Sequence, residues 1–212
     1  MIIIPFMKNL FIVLDGIDGS GKGEQMIKLH NYLYVKSKDY RIVSTREPTN
    51  GEHGKKIRDI LKSEKDPTKN AELLLDLYVK DRKEHTRRTI KPFLNQRNKY
   101  GRNIILCDRY YYSTIAFQNA QGIAMEKLIR KNKGFIKPDI AFILDLPPDM
   151  GLERVSKRGK KEKFEKLDFM KKVRHAFIEQ RELLQDNIKI IDATGSIEEV
   201  FNSIKEELDK IL

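Results

Sequence analysis

A glycine-rich segment near the start of the chain has the residue types that hold phosphate groups. The segment FIVLDGIDGSGKGEQ spans residues 11–25, and Lys22 follows Gly21 within it. Backbone N–H groups of such a turn, together with the start of a following helix, can surround phosphate oxygens. The usual pattern then has a serine or threonine whose hydroxyl binds Mg²⁺, but this chain has Gly23 there. The segment therefore predicts a nucleotide phosphate site that holds its metal in a different way.

Carboxylates near the ends of predicted strands are the candidates to replace that hydroxyl. Asp15, Asp18, Glu24 and Asp108 are the residues in question. The phosphates themselves supply most direct ligands of Mg²⁺, which also keeps several waters, so a carboxylate can act through water. For Asp15 a purely structural role is the stronger interpretation, and Asp18 and Asp108 could instead be helix caps or turn residues.

Two arginines stand at the ends of predicted strands. Arg46 lies in TREPTNG (45–51) and Arg109 lies in CDRYYYSTIAFQ (107–118). Ligands of α/β sheets bind at the carboxyl ends of the strands, and a guanidinium can hold a phosphate through two parallel hydrogen bonds. These arginines therefore predict a second phosphate site. The alternatives are a surface role for Arg46 and an ion pair of Arg109 with Asp108.

An aromatic residue and an arginine in a predicted helix are candidates for recognising a base. Tyr78 and Arg82 are four residues apart, so they share one helix face. The tyrosine ring can stack on a base, and the guanidinium can donate to a base carbonyl. The alternative for Tyr78 is a core position beside Leu74 and Leu77.

The elements that position these residues follow from apolar runs alternating with helical patterns. Four nearly continuous apolar runs predict strands buried on both faces, at 10–15, 103–108, 140–146 and 188–193, and YRIVST at 40–45 predicts a fifth strand. Helices are predicted after the glycine loop, from about Asn70, from about Lys166 and from Ile197. We expect Pro92 to end or open a helix, and Ser196 with Glu199 to cap the last one. This alternation predicts an α/β doubly wound domain.

Composition limits the class of protein. The chain has 212 residues, 40% of them hydrophobic, and one cysteine, which predicts a single domain over 1–212 in a reducing cytoplasm. The apolar opening segment is too short to span a bilayer, so no membrane partner is expected. The formal charge is +11, compatible with anionic substrates, nucleic acid or a basic proteome. Ten Lys/Arg and four Asp/Glu lie between Glu153 and Arg174, where a solvated helix face is the alternative to a function.

Together the motifs resemble the thymidylate kinase family in six segments that occur in the family's order. The segments are GIDGSGK (16–22), TREPTNG (45–51), AELLLDLYVKDRKEH (71–85), CDRYYYSTIAFQ (107–118), the basic stretch 145–169, and IDATGSIEEV (191–200). The resemblance covers nearly the whole chain. It implies a P-loop NTPase three-layer α/β fold with a five-stranded parallel sheet flanked by helices.

The resemblance also implies an activity. A family member moves the γ-phosphoryl group of ATP to dTMP with Mg²⁺, and works as a cytoplasmic homodimer that binds neither nucleic acid nor membrane. The basic stretch would be a lid over about 154–166 that closes on the ATP phosphates. The bond between Glu47 and Pro48 is expected to be cis, and Phe117 would lie against the 2′ side of a deoxyribose.

The family's site residues map onto this chain as follows. ATP would be bound by Gly16, Ile17, Asp18, Gly19, Ser20, Gly21, Lys22, Gly23, Glu24, Arg154, Arg158 and Thr194. dTMP would be bound by Asp18, Arg46, Pro48, Tyr78, Arg82, Arg109, Ser113, Thr114, Phe117 and Gln118. The catalytic set would be Lys22, Asp18, Arg109, Arg46 and Lys163, and the metal would be positioned by Asp108 and Asp18.

Departures from the family pattern leave further functions open. Gly23 and a lid rich in lysine rather than arginine indicate altered handling of the donor phosphates, so we expect activity that is slower rather than absent. A deoxynucleoside kinase shares the loop but needs no clamp for an acceptor phosphate. An adenylate-kinase-like enzyme and a nucleotide-binding protein without catalysis are also compatible with the loop. A nucleic-acid-binding module is the least favoured, since no recognised motif supports it.

Overall fold

A parallel sheet forms the middle of the structure. The computed structural model describes residues 7–64, 66–156 and 165–212. Its strands are β1 (Leu10–Gly16), β2 (Arg41–Arg46), β3 (Asn103–Asp108), β4 (Ile140–Asp145) and β5 (Ile188–Asp192). Neighbouring strands all pair in parallel in the order β2-β3-β1-β4-β5. The predicted five strands are confirmed, with every boundary within one residue of the prediction.

Helices flank this sheet, as predicted. In the described part of the chain they are α1 (Lys22–Lys36), α2 (Glu52–Ser63), α3 (Ala71–His85), α4 (Lys91–Leu94), α5 (Tyr111–Ala120), α6 (Met125–Asn132), α7 (Pro148–Ser156), α8 (Glu165–Leu183) and α9 (Ile197–Asp209). A turn of π-helix over Thr86–Ile90 joins α3 to α4. Helix α1 packs with α9, while α5 packs along α8, and both groups contact the sheet.

Burial explains why the apolar runs form strands. Ile12, Val13 and Leu14 of β1 have no exposed surface, nor does Phe142 of β4. Each such side chain stabilises the fold by about 1.5–3 kcal/mol relative to an exposed position. Strand β2 lies at the edge of the sheet and is partly exposed along its length. The central strand β1 is therefore fixed on both sides, and the glycine loop that follows it starts from a rigid base.

The local helix signals are also confirmed. Ser196 accepts a hydrogen bond from the N–H of Glu199, whose side chain accepts from the N–H of Ser196, so α9 begins with a capping box. Helix α3 ends at His85, and Pro92 lies in the first turn of α4. Within the described ranges, no helix is long and apolar enough to cross a membrane.

The strand ends carry the chemistry-bearing residues to one edge of the sheet. Asp108 pairs in register with Arg46 of β2 and with Leu14 of β1. The N–H of Glu47 donates to the carbonyl of Asp108 at 3.0 Å, and the Glu47–Pro48 bond is cis, as expected. The phosphate loop and both predicted arginine positions thus share the carboxyl edge of the sheet.

Candidate active site

The glycine loop closes around the side chain of its lysine. Lys22 donates from Nζ to the carbonyl oxygens of Gly16 at 3.0 Å and Ile17 at 2.8 Å. Its side chain is buried, and this burial, together with the charge of Arg109, lowers the pKa of Lys22 to about 8. Gly19 has φ +83°, and a Cβ there would lie 2.4 Å from the carbonyl oxygen of Gly151. Only glycine fits at that point, because the loop touches the backbone of α7.

Asp15 organises the wall of the site rather than its centre. Its carboxylate is fully buried and accepts hydrogen bonds from the N–H of Gly16 at 2.8 Å and the N–H of Tyr110 at 3.1 Å. It also accepts from the N–H and the hydroxyl of Ser113, at 3.0 and 2.6 Å. Burial raises the pKa of Asp15, although the charge of Arg109 and the Ser113 hydrogen bond oppose this. The structural role expected for Asp15 is therefore confirmed.

Arg109 bridges the loop and the start of α5. Its Nη1 donates to the carbonyl of Gly16 at 3.0 Å and to the hydroxyl of Ser113 at 2.7 Å, while Nη2 donates to Asp18. Its backbone has φ +68°, an uncommon left-handed conformation for a residue with a side chain. The alternative ion pair with Asp108 does not form, because the guanidinium lies towards Asp18 and Asp15. Arg109 thus connects the glycine loop to the first turn of α5.

Asp108 carries a carboxylate oxygen that could accept a hydrogen bond from a metal-bound water. One oxygen of its carboxylate is buried and has no hydrogen-bond donor among the described residues. A hard carboxylate oxygen suits Mg²⁺ or a water bound to it, so the site fits this metal. No group of three histidine, cysteine, aspartate or glutamate side chains in the described ranges could hold a metal ion. The fit is therefore to a metal that arrives with phosphate oxygens.

A cavity of about 900 Å³ lies beside the loop. The predicted residues that line it, among those the structure describes, are Asp18, Pro48, Tyr78, Arg82, Arg109, Ser113, Thr114, Phe117 and Gln118. Arg46 is exposed at the end of β2 and does not line it. The structure thus brings together nearly all of the residues predicted for the acceptor.

Tyr78 and Arg82 of α3 both line the cavity, as their spacing predicts. Burial raises the pKa of Tyr78 to about 12, so the hydroxyl stays protonated, and the ring packs against the small cluster of Leu74 and Leu77. The guanidinium of Arg82 has no exposed surface, and its Nε donates to Glu47 at 2.9 Å. Tyr78 therefore belongs to the cavity wall and to the core at once.

Two further hydrogen bonds hold the guanidinium of Arg82. Nη1 donates to Asn132 at 2.6 Å and Nη2 to Thr114 at 2.8 Å. A guanidinium has five N–H groups, so one remains on each terminal nitrogen. Glu47 also accepts from His85 Nδ1 at 3.0 Å. The arginine is thus fixed before any ligand is bound.

Gln118 lines the same cavity and carries a buried acceptor. Its Nε2 donates to Gln121 at 2.9 Å, while its Oε1 is buried and without a hydrogen-bond donor in the described part of the chain. Phe117 lies between Phe169 and Phe177 of α8, with ring centroids 6.4 and 6.3 Å away. The cavity therefore combines apolar walls with a buried acceptor and the fixed guanidinium of Arg82, which suits a flat polar ring.

Comparison with known proteins identifies the family. A family model described as thymidylate kinase matches residues 14–204. This chain belongs to the thymidylate kinase family. A probable thymidylate kinase of Pyrococcus horikoshii is 38% identical, over 93% of this chain and 95% of its own. Thymidylate kinases of Caldicellulosiruptor saccharolyticus and Desulfotalea psychrophila are 37% and 36% identical, over 97% and 95% of this chain and 98% and 95% of theirs.

Some of the residues predicted to bind ATP lie within the described part of this thymidylate kinase family member. Arg154 of α7 donates to the carbonyl oxygens of Gly19 at 3.4 Å and Ala193 at 3.3 Å, so it joins the glycine loop to the segment after β5. Thr194 is exposed there, with its N–H and hydroxyl bonded to Asp192. Arg158 and Lys163, predicted for the lid, lie outside the described residues. Arg154 thus contacts the glycine loop, and the ATP-binding roles of Arg154 and Thr194 stay predictions.

Several residues that shape the site are not among those predicted from the sequence. Glu47 stands inside the TREP motif without a predicted role, although it holds Arg82 and His85. Asp81 accepts from the N–H and hydroxyl of Thr49, which fixes the loop after Pro48. Because Glu47 directly follows Arg46, the sequence could have indicated a role for Glu47 at the site. Nothing in the local sequence indicates the contact between Asp81 and Thr49.

Proposed function

We propose that this protein transfers the γ-phosphoryl group of ATP to dTMP, giving ADP and dTDP, with Mg²⁺ bound to the triphosphate. Membership of the thymidylate kinase family supports the reaction. The names of its relatives refer to the same activity. The cavity chemistry supports thymine as the base, and the two cationic groups at the loop support transfer between two phosphates.

One observation carries the proposal. Lys22 and Arg109 both donate to the carbonyl oxygen of Gly16, each at 3.0 Å, so their nitrogens cannot be further apart than twice that distance. Lys22 belongs to the loop that suits donor phosphates, whereas Arg109 lines the cavity that suits the acceptor. Phosphoryl transfer needs the donor and acceptor phosphates side by side, with their charge neutralised. The adjacent cations provide that arrangement.

The polar groups of the cavity complement the edge of thymine. Thymine presents an N–H donor between two carbonyl acceptors. We propose that the buried Oε1 of Gln118 accepts from the N–H and that a remaining N–H of Arg82 donates to a carbonyl, while Tyr78 stacks on the ring. Cytosine has an acceptor nitrogen in place of the N–H, so it would leave Gln118 unpaired. Phe117 would exclude a 2′-hydroxyl.

The chain's own residues would act by position and charge. Backbone N–H groups of the loop and Lys22 hold the donor phosphates, while Arg109 orients the acceptor phosphate in line with them. Asp18, which lies beside Arg109, would accept a hydrogen bond from the 3′-hydroxyl of the sugar. Arg46, exposed at the neighbouring strand end, would contribute positive charge near the acceptor phosphate. Asp108 would hold the Mg²⁺ through water, and this ion would supply charge neutralisation on the phosphates.

The remaining features complete the proposal. We propose that Arg154 and Thr194 face the adenine side, and that a lid over about 154–166, including Arg158 and Lys163, excludes water when it closes. We further propose one domain over 1–212 and a homodimeric assembly. We also propose a cytoplasmic location, because a single buried cysteine, Cys107, suits a reducing compartment.

The test is turnover with a panel of acceptors. ADP release is measured with Mg·ATP and each of dTMP, dUMP, dCMP, dGMP, AMP and thymidine. We expect the highest kcat/KM with dTMP, a lower value with dUMP, and no use of thymidine. Thymidine used in preference to dTMP would establish a deoxynucleoside kinase, and AMP preferred over dTMP would establish an adenylate-kinase-like enzyme. ATP binding without turnover of any acceptor would establish a binding protein.

A further inference from the structure

A buried carboxylate lies far along the chain from the predicted motifs. Asp186 follows α8, and its side chain is 3% exposed. Its Oδ2 accepts hydrogen bonds from the hydroxyls of both Tyr111 and Tyr112, the latter at 2.9 Å. Its Oδ1 faces Lys137 at 3.2 Å, and that lysine is largely exposed. Burying a carboxylate is costly unless it is fully hydrogen-bonded, so the two tyrosine hydroxyls are an essential part of this arrangement.

The two tyrosines begin the helix that carries acceptor-site residues. Tyr111 and Tyr112 are the first residues of α5 and are 5% and 0% exposed. Their ring centroids are 4.4 Å apart, and the ring of Tyr110 lies 4.7 Å from that of Tyr111. Arg109 precedes this run of three rings and Ser113 follows it. Any movement of the rings therefore moves the residues that line the cavity on either side.

The same segment is held from its other side by Asp15. The N–H groups of Tyr110 and Ser113 donate to Asp15 of β1, at 3.1 and 3.0 Å. Residues 110–113 are thus fixed between two buried carboxylates, one from the central strand and one from the connection between α8 and β5. Arg109 adopts a left-handed backbone conformation, which persists only where the surrounding structure determines it.

Helix α8 supports the same contact. Gln180 has no exposed surface, and its Nε2 donates to the carbonyl of Tyr112 at 3.2 Å. Asp186 lies three residues after the end of α8 at Leu183, so α8 and the carboxylate both anchor the start of α5. Phe169 and Met170, at the other end of α8, line the cavity. Helix α8 thus contacts both the cavity and the first turn of α5.

We propose that Asp186 is a positioning residue for the acceptor site. By accepting from Tyr111 and Tyr112 it fixes the first turn of α5, and through it Arg109 and Ser113, in the geometry that binds the acceptor phosphate. The inference rests on the proposed function in one respect, namely that Arg109 binds the acceptor. It follows that the loss of Asp186 weakens dTMP binding more than ATP binding, since the loop around Lys22 is held by its own contacts.

Asp186→Asn is the main variant, because it keeps the shape and removes the charge that binds two hydroxyls. Steady-state KM and kcat are measured for dTMP and ATP separately. We expect KM for dTMP to rise about 5- to 10-fold, the effect of one to two weakened hydrogen bonds, with KM for ATP within about 2-fold. Tyr111→Phe and Tyr112→Phe each remove one donor and should give smaller changes of the same kind, which keeps the test decisive if the asparagine variant fails to fold.

Asp139→Asn is the matched control. Asp139 lies just before β4, at the same end of the sheet, and accepts from the N–H of Phe11 at 2.7 Å, but it does not contact α5. We expect Asp139→Asn to lower the thermal midpoint without changing KM for dTMP. A KM for dTMP in Asp186→Asn that equals the wild-type value, or equal rises of both KM values, would overturn the inference. Absence of wild-type turnover with dTMP would instead overturn the proposed function, and the inference with it.

Discussion

Position 23 gives the most informative single substitution in the phosphate loop. Gly23 is the second residue of α1, and a Cβ built there meets no atom within 4 Å. A serine at this position therefore causes no clash, and it places a hydroxyl where related loops bind Mg²⁺. We expect Gly23→Ser to fold normally and to bind the metal–nucleotide complex more tightly than the wild type.

The size of the effect can be separated into two parts. In a helix, serine is more favourable than glycine by roughly 0.4 kcal/mol, and alanine is more favourable than glycine by roughly 0.9 kcal/mol. For a chain of this length these values raise the thermal midpoint by about 1–2 °C and about 2–4 °C. If the hydroxyl oxygen adds about 1 kcal/mol, comparable to a neutral hydrogen bond, the half-saturating Mg²⁺ concentration falls about 5-fold.

The assay compares Gly23→Ser with Gly23→Ala. Activity is titrated with Mg²⁺ at fixed ATP and dTMP, and binding of Mn²⁺ in the presence of ADP is followed by electron paramagnetic resonance. Only the serine variant should bind metal more tightly, because alanine gains helix stability without gaining a ligand. Identical metal dependence in the two variants would refute the hydroxyl argument. A loss of stability in Gly23→Ala would refute the claim that the position is open.

Three further predictions concern buried groups. The pKa of Lys22 is about 8, below its ordinary 10.5, because burial and the charge of Arg109 disfavour the ammonium. Between pH 8 and pH 10.5 the unfolded chain therefore binds more protons at Lys22 than the folded chain does, so Lys22 makes the free energy of unfolding rise with pH in that range. ATP binding near pH 8 should accordingly take up a proton, which calorimetry in two buffers of different ionisation enthalpy measures, and no uptake would contradict this. Arg82→Met leaves Glu47 buried without its cation and should lower the free energy of unfolding by about 3–5 kcal/mol in chemical denaturation, whereas a loss below about 1 kcal/mol would show that the network is dispensable. Gln118→Met should raise KM for dTMP about 10-fold through the lost acceptor and leave KM for ATP unchanged, and equal KM values would exclude Gln118 from base recognition.

The strands and the phosphate loop were predictable from the sequence. Strands β1, β3 and β4 are buried on both faces, so their apolar runs are continuous and their limits are sharp. The loop is recognisable because its glycines are needed locally: Gly16, Gly19 and Gly21 have φ of +137°, +83° and +91°, a conformation that favours glycine. The cap of α9 by Ser196 and Glu199 is equally local. Such features depend on neighbours in the chain, and a sequence records those directly.

Features that depend on distant residues were less predictable. The strand order, with β1 between β3 and β4, cannot be read from the individual runs. Arg82 was predicted to face a base, and it does line the cavity, but its bonds to Glu47 and Asn132 span 35 and 50 residues of chain. The two tyrosines read as part of a motif, while their acceptor Asp186 lies more than 70 residues later. Such long-range pairs leave no local signal.

The central claim is that Arg109 clamps the phosphate of the acceptor. The most direct test is kcat/KM for dTMP and for thymidine in the wild type and in Arg109→Ala. Loss of two charged hydrogen bonds, at about 1.5–2 kcal/mol each, predicts a fall of about 10²- to 10³-fold with dTMP. Thymidine should not be used by either protein, and KM for ATP should change little. Turnover of thymidine by either protein, or an unchanged kcat/KM for dTMP in Arg109→Ala, would contradict the account.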